Sequence, residues 1–444
     1  MIVGLGKTGL SCARYLHSKG EPFRIVDSRA HPPYLDALQA EMPEVAVELG
    51  EFSASTFANA SALIVSPGLS IRLPAIEKAA SSGVSITGDI DIFSKSTNVP
   101  IIAVTGSNGK STVSMLVAKI LSDAGLKVGL GGNLDAAESV PALDLLSGSN
   151  NVDYFVLEVS SFQLETTDCI RAEVALILNF SEDHMDRYKD IQSYLDAKRR
   201  VFCESRKIVV NLDCEFSQPP ETTDAELFYF GMENQPHEGF GITQNDKQTF
   251  VTYRGEKLFS TNELKIRGNH NVSNVIAAMT VASAVGINLS STIESVKQFA
   301  GLANRCQWIA NIDGVDYYND SKGTNVGATV AAIEGLGQSI PNKIILIAGG
   351  DGKGADFLPL KSIVESYCRA AVLIGKDARK IANAIEPAVS CHYASDMTEA
   401  LQSSRSIAQP GDSVLLSPAC ASFDMYRDYI QRGEIFSESV RSLQ

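Results

Sequence analysis

The stretch Val99–Thr112 (VPIIAVTGSNGKST) constrains the fold of this chain more than any other feature of the sequence. Its apolar first half has the residue types of a buried β-strand, and a helical pattern continues from Val113 to about Ala124, before Gly125. A glycine-rich turn between a strand and a helix N-terminus presents backbone N–H groups that favour a phosphate. The stretch therefore predicts a phosphate-binding loop in an α/β fold with a mostly parallel sheet.

The side chains of this loop predict ATP and Mg²⁺ as ligands. Lys110 is placed to reach the β- and γ-phosphates, and the Ser111 hydroxyl to ligate Mg²⁺. Val104 stands where the full P-loop pattern has its first glycine, so the loop is a shortened variant. Glu158 ends a second apolar run and is the expected carboxylate ligand, because Mg²⁺ prefers oxygen ligands. These residues alone leave a kinase, a motor ATPase and a ligase open.

A second glycine-rich turn lies at Gly4–Gly9 (GLGKTG) and fits the pattern G-x-G-x-x-G. A strand-like run then ends at Asp27, about where an NAD-binding fold has its ribose-binding acid. Taken alone, this turn predicts a dinucleotide-dependent oxidoreductase. The turn itself recognises only a diphosphate, so another nucleotide diphosphate satisfies it equally well.

Strand and helix patterns alternate along the whole chain, which predicts parallel sheets with crossover helices. We expect three domains, with residues 1–88, 89–302 and 303–444. A hairpin is expected around residues 249–256, and the third domain should contain strands near 343–348, 371–374 and 413–416.

The overall composition excludes several classes of protein. The formal net charge of −14 argues against a general nucleic-acid binder, which needs a basic surface. No apolar run approaches the roughly 20 residues that span a bilayer, so we expect no membrane insertion. The eight cysteines contain no C-x-x-C pair, and we expect them to be reduced in a cytoplasmic protein.

Seven stretches in one order resemble the Mur ligase family of bacterial cell-wall synthesis. They are TGSNGKST (105–112), EVSSFQLE (158–165), NFSEDHMDRY (179–188), GNHNVSN (268–274), NDSKGTN (319–325), GGDGKGADF (349–357) and SPACASFD (417–424). The resemblance implies a Rossmann-like N-terminal domain that binds UDP, a central P-loop ATPase-type domain and a Rossmann-like C-terminal domain that binds an amino acid. The absence of an Asn-Pro-Arg signature in the last domain favours the branch of the family that adds D-glutamate.

The resemblance also implies a reaction. The carboxylate of UDP-N-acetylmuramoyl-L-alanine attacks the γ-phosphate of ATP, which releases ADP and forms an acyl phosphate. The amine of D-glutamate then attacks that carbonyl, and phosphate leaves. A monomer is expected by the same resemblance.

Residue roles in the ATP site follow from the matching positions. The implied ATP-binding residues are Gly106, Asn108, Gly109, Lys110, Ser111, Thr112, Asn271, Asn274, Arg305, Asp320 and Lys322. The implied metal ligands are Ser111, Glu158, His184 and Lys198, of which Lys198 is carbamylated in this family, and the catalytic residues are Lys110, His184 and Lys198. Without the resemblance, Lys198 reads as a solvated lysine of a basic run, His184 as a surface or capping residue and Asn271 as a possible helix cap.

The two substrates have their own implied residues. Those for the UDP-sugar are Gly6, Lys7, Thr8, Asp27, Ser28, Arg29, Gly68, Asn133, Ser160 and His184. Those for D-glutamate are Thr324, Lys353, Ser422 and Phe423. The sequence departs from the family pattern after Asn133, where Asp135 and Ala136 replace an expected glycine, and at 304–307, where NRCQ replaces H-R-x-E.

Three rival functions stay open at this point. An oxidoreductase would use the Gly4–Gly9 turn but leaves the second phosphate loop unexplained. A related ligase such as folylpolyglutamate synthase shares the central loop but not the N-terminal turn. The third rival is a non-enzymatic, ATP-driven switch.

Overall fold

The computed structural model describes residues 1–53, 55–57, 59–134, 140–148, 151–180, 187–245, 248–338, 340–386 and 388–443. These residues form two compact units. The first consists of residues 1–260 and 274–296, and the second of residues 261–273 and the chain from Lys297 onward.

The N-terminal part of the first unit is built on a parallel sheet. Its described strands have the order β3-β2-β1-β4-β5. The strands are β1 (Ile2–Val3), β2 (Ile25–Asp27), β3 (Val47–Leu49), β4 (Ala62–Val65) and β5 (Ser85–Thr87). The helices are α1 (Lys7–Ser18), α2 (Leu35–Glu41), α3 (Pro74–Ser81) and α4 (Asp89–Ser96). The expected strand that ends at Asp27 is thus confirmed.

A larger sheet follows in the same unit, with the strand order β14-β13-β12-β11-β10-β9-β6-β8-β7 in the described residues. The strands are β6 (Ile101–Thr105), β7 (Val128–Gly132), β8 (Tyr154–Glu158), β9 (Val174–Ile177), β10 (Lys207–Asn211), β11 (Glu226–Phe230), β12 (Gly239–Asn245), β13 (Gln248–Tyr253) and β14 (Glu256–Ser260). Strands β6 to β12 pair in parallel, and β12, β13 and β14 pair antiparallel. The expected hairpin is therefore confirmed, with its turn at Arg254 and Gly255, both at positive φ.

The helices of this central region are α5 (Lys110–Asp123), α6 (Ala142–Leu145), α7 (Ser161–Glu165), α8 (Ile191–Arg199), α9 (Asn269–Ala284) and α10 (Leu289–Gln298). Strand β6 lies between β8 and β9, where Val104 pairs with Glu158 and Thr105 with Ile177. All five residues of β6 are buried, as a parallel strand covered on both faces requires. The carboxyl ends of β6, β8 and β9 therefore meet at one edge of the sheet, where ligands of α/β proteins bind.

One hydrophobic core joins the two sheets of the first unit. It contains Ile2 and Leu10 from β1 and α1, Phe93 from α4, and Leu143 and Phe155 from the central region. The rings of Phe93 and Phe155 meet edge to face, with centroids 4.9 Å apart. At the border of this core, Ser11 donates a hydrogen bond to Asp144 Oδ1 over 2.7 Å.

The second unit contains a third sheet with the order β15-β16-β20-β17-β18-β19 in its described residues. The strands are β15 (Gln307–Ile312), β16 (Val315–Asn319), β17 (Ile344–Gly349), β18 (Cys368–Ile374), β19 (Ser390–Tyr393) and β20 (Ser413–Leu416). The helices are α11 (Val326–Gly337), α12 (Leu360–Tyr367), α13 (Ala378–Ile385), α14 (Met397–Ile407) and α15 (Tyr429–Arg441). Pairing is parallel except between β15 and β16, and apolar clusters cover both faces.

Three sheets agree with the three predicted groups, while the boundaries after residues 88 and 302 stay predictions. Among the described residues, none of the helices combines the length and the apolar character that crossing a bilayer requires.

Candidate active site

The loop between β6 and α5 has the backbone conformation of a phosphate cradle. Gly106 and Gly109 have φ values of +152° and +80°, which residues with a Cβ rarely adopt. A Cβ on Gly109 would also overlap the amide group of Asn274. Helix α5 begins at Lys110, so the backbone N–H groups of its first turn lie at this loop.

Asn179, which lies two residues after the end of β9, stabilises the phosphate loop. Its side chain accepts a hydrogen bond from Asn108 N (2.8 Å) and donates one to Asn108 O (3.0 Å). Its backbone carbonyl accepts a third hydrogen bond from Ser107 N over 3.1 Å. These three hydrogen bonds hold the phosphate loop against the segment that follows β9.

A buried carboxylate lies beside the loop, at the end of β8. Glu158 is 2% exposed and accepts a hydrogen bond from Ser111 Oγ over 2.6 Å. Its second oxygen accepts from Asn133 Nδ2 over 3.2 Å. The structure therefore brings together two predicted metal ligands and a predicted UDP-sugar residue. Hydroxyl and carboxylate oxygens form a donor set that suits a hard cation such as Mg²⁺.

Lys198 of α8 lies under the phosphate loop. It is 2% exposed, its Nζ donates to Gly106 O over 2.8 Å, and the Tyr194 ring centroid is 4.6 Å away. The alternative of a solvated lysine is therefore wrong. An ammonium group offers only donors, so Lys198 fits a metal site only in a carbamylated form, which supplies oxygens. Lys110 Nζ donates to Ser107 O over 3.0 Å at the same loop.

Three further predicted residues of the central domain have different outcomes. His184 lies outside the described residues, so its predicted roles stay predictions. Asn271 is not a helix cap, because α9 already begins at Asn269; its Nδ2 donates to Arg267 O over 2.8 Å. Ser160 is the N-cap of α7 and forms a capping box with Gln163, directly after the strand that carries Glu158.

The N-terminal turn is closely packed. Gly4 has a φ of +96°, and a Cβ on Gly9 would overlap the Gly4 carbonyl oxygen. Ser66 Oγ donates to that oxygen over 2.9 Å, which brings the segment with Gly68 next to the turn. Gly6 precedes α1, and Lys7 and Thr8 form the start of its first turn. The predicted diphosphate residues and Gly68 are thus neighbours.

Asp27 is already engaged by its own chain. Arg29 donates to it through Nε (2.9 Å) and Nη2 (2.7 Å), and the backbone N–H of Leu5 donates to Oδ2 over 2.7 Å. Burial acts to raise the pKa of Asp27, but these hydrogen bonds outweigh it and lower the pKa to about 2. With both oxygens bonded, the carboxylate is not arranged as the hydroxyl acceptor that an NAD-binding fold needs. Ser28 is exposed between the two paired residues.

In the second unit, Asp320 lies at the end of β16 in a buried polar pocket. Its oxygens accept hydrogen bonds from Cys306 N (3.1 Å) and Ser417 Oγ (2.7 Å). Burial raises the pKa of Asp320 to about 7. Lys322 and Thr324 follow on the same loop, where Lys322 N donates to Asn304 O, next to Arg305. Four residues with predicted roles thus lie close together in this unit: Arg305, Asp320, Lys322 and Thr324.

The predicted D-glutamate residues lie on three neighbouring loops. Lys353, at a φ of +50°, has its Nζ 5.5 Å from the ring centroid of Phe423, which is 68% exposed. Ser422 is buried beside Phe423. Asp351 and Ala421 exchange two backbone hydrogen bonds of 3.0 Å, which join the Lys353 turn to the loop of Ser422. Lys353, Ser422 and Phe423 are thereby brought together.

The expectation of eight reduced cysteines is wrong for two of them. Cys169 and Cys203 form a disulfide, with Cα atoms 5.2 Å apart. They are 34 residues apart in sequence, but Arg200 Nη1 donates to Glu165 O and Thr167 O, so the end of α8 packs beside the segment after α7. The other six cysteines are free.

Sequence reasoning missed two residues that organise these sites. Asn179 had a usable signal, because it follows a buried strand next to β6 and opens the stretch NFSEDHMDRY. Arg432, a buried residue of α15, had no comparable signal, because arginine on a helix is usually solvated.

A glycine-rich loop between strand and helix, with a carboxylate on the adjacent strand, defines a nucleotide-phosphate-binding α/β protein. Three family models match the chain: "Mur ligase MurD-like, N-terminal domain" at residues 1–88, "Mur ligase middle domain" at 104–282 and "Mur ligase, glutamate ligase domain" at 304–420. The chain belongs to the Mur ligase family and has its three-domain α/β fold with mostly parallel sheets.

Full-length relatives are similar to the chain throughout. A protein of Marinobacter nauticus is 50% identical over 445 residues, covering 100% of this chain and 98% of its own length. One of Pseudomonas aeruginosa is 47% identical over 443 residues with the same coverage. Both are named UDP-N-acetylmuramoylalanine--D-glutamate ligase.

Solved structures agree with the fold. A UDP-N-acetylmuramoyl-L-alanyl-D-glutamate--2,6-diaminopimelate ligase is 19% identical with a TM-score of 0.61, covering 99% of this chain and 92% of its own. The UDP-N-acetylmuramate-alanine ligase of Thermotoga maritima is 17% identical with a TM-score of 0.57, covering 100% and 99%.

Proposed function

We propose that this protein joins D-glutamate to UDP-N-acetylmuramoyl-L-alanine in an ATP-dependent reaction of peptidoglycan precursor synthesis. The observation that carries the proposal is the similarity to ligases of that name at 46–50% identity over the whole chain. The phosphate loop and the Ser111–Glu158 pair supply a physical basis for ATP use.

The γ-phosphate must meet a substrate carboxylate, and two anions repel each other. Positive charge gathered around the phosphate lowers this barrier, because it stabilises the charge of the transition state. Lys110, at the start of α5, is the proposed phosphate contact, and Arg305 is the proposed second cation. The N–H groups of the loop and of the first turn of α5 add partial positive charge at the same place.

Mg²⁺ is the proposed cofactor, held by Ser111, Glu158, His184 and carbamylated Lys198. When bound, it would neutralise phosphate charge and align the γ-phosphate for attack. The support is the oxygen donor set of Ser111 and Glu158, together with the burial of Lys198 beneath Gly106. Asn271 and Asn274 of α9 are the proposed adenine contacts, and Asp320 and Lys322 the proposed ATP contacts of the last domain.

The carbamate on Lys198 is tested separately from the ligase reaction. Purified protein supplied with ¹³C-bicarbonate should give a carbamate carbon signal in NMR, and Lys198→Ala should lack it. Lys207→Ala is the matched control, because Lys207 is half-buried and, like Lys198, donates to a backbone carbonyl, here Ala284 O. A wild-type protein that is active but has no carbamate signal would exclude this ligand.

The UDP-sugar is proposed to bind at the Gly4–Gly9 turn, with the sugar-peptide end near Asn133 and Ser160. D-glutamate is proposed to bind at Thr324, Lys353, Ser422 and Phe423, where a lysine suits a substrate with two carboxylates. We also propose a cytoplasmic monomer with domain boundaries after residues 88 and 302.

A phosphate-release assay tests the proposed function. Phosphate should appear only when ATP, UDP-N-acetylmuramoyl-L-alanine and D-glutamate are all present, and ADP and the amide product should form in equal amounts. ATP hydrolysis without D-glutamate would favour an ATP-driven switch. Titration with NADH addresses the oxidoreductase, which tight NADH binding would support.

A further inference from the structure

Arg432 has the largest fully buried side chain in the described part of the chain and is 1% exposed. Removing a guanidinium group from water is costly unless its N–H groups are hydrogen-bonded. A buried arginine therefore needs specific hydrogen-bond acceptors within the protein.

Its partners belong to two different loops. Arg432 Nε donates to Ser321 Oγ (2.9 Å) and Nη2 donates to Ser321 O (2.8 Å). Nη1 donates to Cys420 O over 3.2 Å. Ser321 and Cys420 are both fully buried. The planar fork of the guanidinium thus joins loop 319–325, which follows β16, to loop 417–424, which follows β20.

The described partners of Arg432 are a hydroxyl and two carbonyl oxygens, and none is a carboxylate. Burial lowers the pKa of Arg432 to about 10, so the group keeps its charge at neutral pH. The burial of Arg432 is therefore not explained by an ion pair. It is explained by the hydrogen bonds through which the guanidinium joins the two loops.

Both loops carry residues proposed to bind ligands. Loop 319–325 contains Lys322 and Thr324, and loop 417–424 contains Ser422 and Phe423. The backbone pair of Ala421 and Asp351 extends the connection to the turn of Lys353. The two loops are also joined directly, because Ala419 N donates to Gly323 O over 2.9 Å, so Arg432 adds a second connection at Cys420.

Among the described contacts, two backbone carbonyl groups of α15 also bind loop 319–325, but not loop 417–424. Tyr429 O accepts a hydrogen bond from Ser321 Oγ (2.7 Å), and Gly433 O accepts one from Asn319 Nδ2 (2.9 Å). These contacts reach loop 319–325, and Arg432 adds the contact to Cys420.

We propose that Arg432 is a positioning residue for the amino-acid site: by joining Ser321 to Cys420 it sets the separation of Thr324 and Ser422. The inference rests on the proposed function for the identity of the amino acid. Lysine cannot replace it, because an ammonium group lacks the planar fork that spans both partners.

Steady-state kinetics of Arg432→Lys and Arg432→Met test the role. The KM for D-glutamate should rise roughly tenfold or more, since a misaligned charged hydrogen bond loses that much affinity. The KM for UDP-N-acetylmuramoyl-L-alanine should change by less than about twofold. The matched control is Arg405→Lys, which alters an exposed pair with Asp313 in the same domain and should leave both constants unchanged. A wild-type KM for D-glutamate in Arg432→Lys would overturn the proposal, and so would an equal rise in both KM values.

Hydrogen exchange tests the connection without any substrate. Arg432→Lys and Ser321→Ala, which keeps the arginine, should both exchange faster in loops 319–325 and 417–424 than the wild type. Unchanged exchange in these loops would overturn the proposal. If the wild type fails to use D-glutamate, the proposed function fails, while the exchange data still decide whether Arg432 joins the loops.

Discussion

At the scale of single residues, two buried carboxylates show how environment sets charge. Hydrogen bonds from Arg29 and Leu5 hold the pKa of Asp27 at about 2, although burial acts against them. Asp320 has no ion pair of that kind among its described hydrogen-bond partners, and burial raises its pKa to about 7. The first carboxylate is thus a permanent charge, and the second titrates near neutral pH.

Asp320 predicts a pH dependence of stability. Its pKa is higher in the folded than in the unfolded state, so its stabilising contribution is present below about pH 4 and is lost as the pH rises through about 7. Between pH 5 and 8, the free energy of unfolding of the wild type should fall by a few kcal/mol relative to that of Asp320→Asn, since one pKa unit corresponds to about 1.4 kcal/mol. Denaturant unfolding followed by the fluorescence of Trp308, the single tryptophan, reports on this domain. Parallel pH profiles of the two proteins would contradict the prediction.

Lys353 is expected to recognise the incoming amino acid. Lys353→Ala should raise the KM for D-glutamate by roughly 10- to 100-fold, the loss expected for a charged hydrogen bond, and should leave the KM for ATP nearly unchanged. Lys361→Ala, at an exposed lysine of α12 in the same domain, is the matched control. Equal effects on the KM values of D-glutamate and ATP would exclude this role.

The sequence predicted residues when the chemistry depended on residue type within a short stretch. Lys110, Ser111 and Gly109 follow from one glycine-rich loop. The roles of Asn179 and Arg432 were not predicted, because their hydrogen-bond partners Asn108 and Ser321 lie 71 and 111 residues away in the sequence. Contacts of this kind follow from packing and leave no local pattern.

At the scale of elements, the strand before the phosphate loop and the helix after it were predicted within a few residues. The disulfide was not, because it depends on how α8 packs against the segment after α7. Cysteine spacing alone does not identify a pair 34 residues apart.

The disulfide predicts a redox-dependent stability. Cys203→Ser should lower the free energy of unfolding of the first unit by about 3–4 kcal/mol, the entropy expected for a loop of this length. Circular dichroism during denaturant unfolding without reductant measures this change. Cys214→Ser, at a free and partly exposed cysteine, is the matched control. Eight alkylated thiols in protein that is unfolded without reductant would show that the bond does not form.

At the scale of the whole molecule, Arg187 fastens the N-terminal sheet to the central domain. Its Nη2 donates to Leu69 O (2.9 Å) and pairs with Glu165 Oε2 (3.1 Å), and its guanidinium lies 3.9 Å from the Phe162 ring centroid. These contacts fix the segment after β4, next to the proposed UDP-sugar site.

Arg187→Ala is expected to act on both stability and substrate binding. The buried carboxylate of Glu165 keeps Arg72 as a partner, so the loss should be about 2–3 kcal/mol rather than larger. The KM for UDP-N-acetylmuramoyl-L-alanine should rise more than that for D-glutamate. Kinetics and thermal unfolding measure both effects, with Arg171→Ala, in an exposed pair with Glu204, as control. An unchanged KM for the UDP-sugar would show that Arg187 does not shape its site.

The continuous core of Ile2, Leu10, Phe93, Leu143 and Phe155 has a consequence for how such chains diversify. An N-terminal domain taken from another ligase would need core side chains that match those of the central domain in size and shape, because mismatched interior volume is destabilising. The clusters on the two faces of the third sheet contain only residues of the second unit in the described chain, so an exchanged C-terminal domain would bring its own interior with it. Recombination between family members should therefore succeed more often at the C-terminal junction. Such exchanges would let the proposed amino-acid site vary, together with the proposed ATP contacts Asp320 and Lys322, while the UDP-sugar turn and the phosphate loop are inherited together.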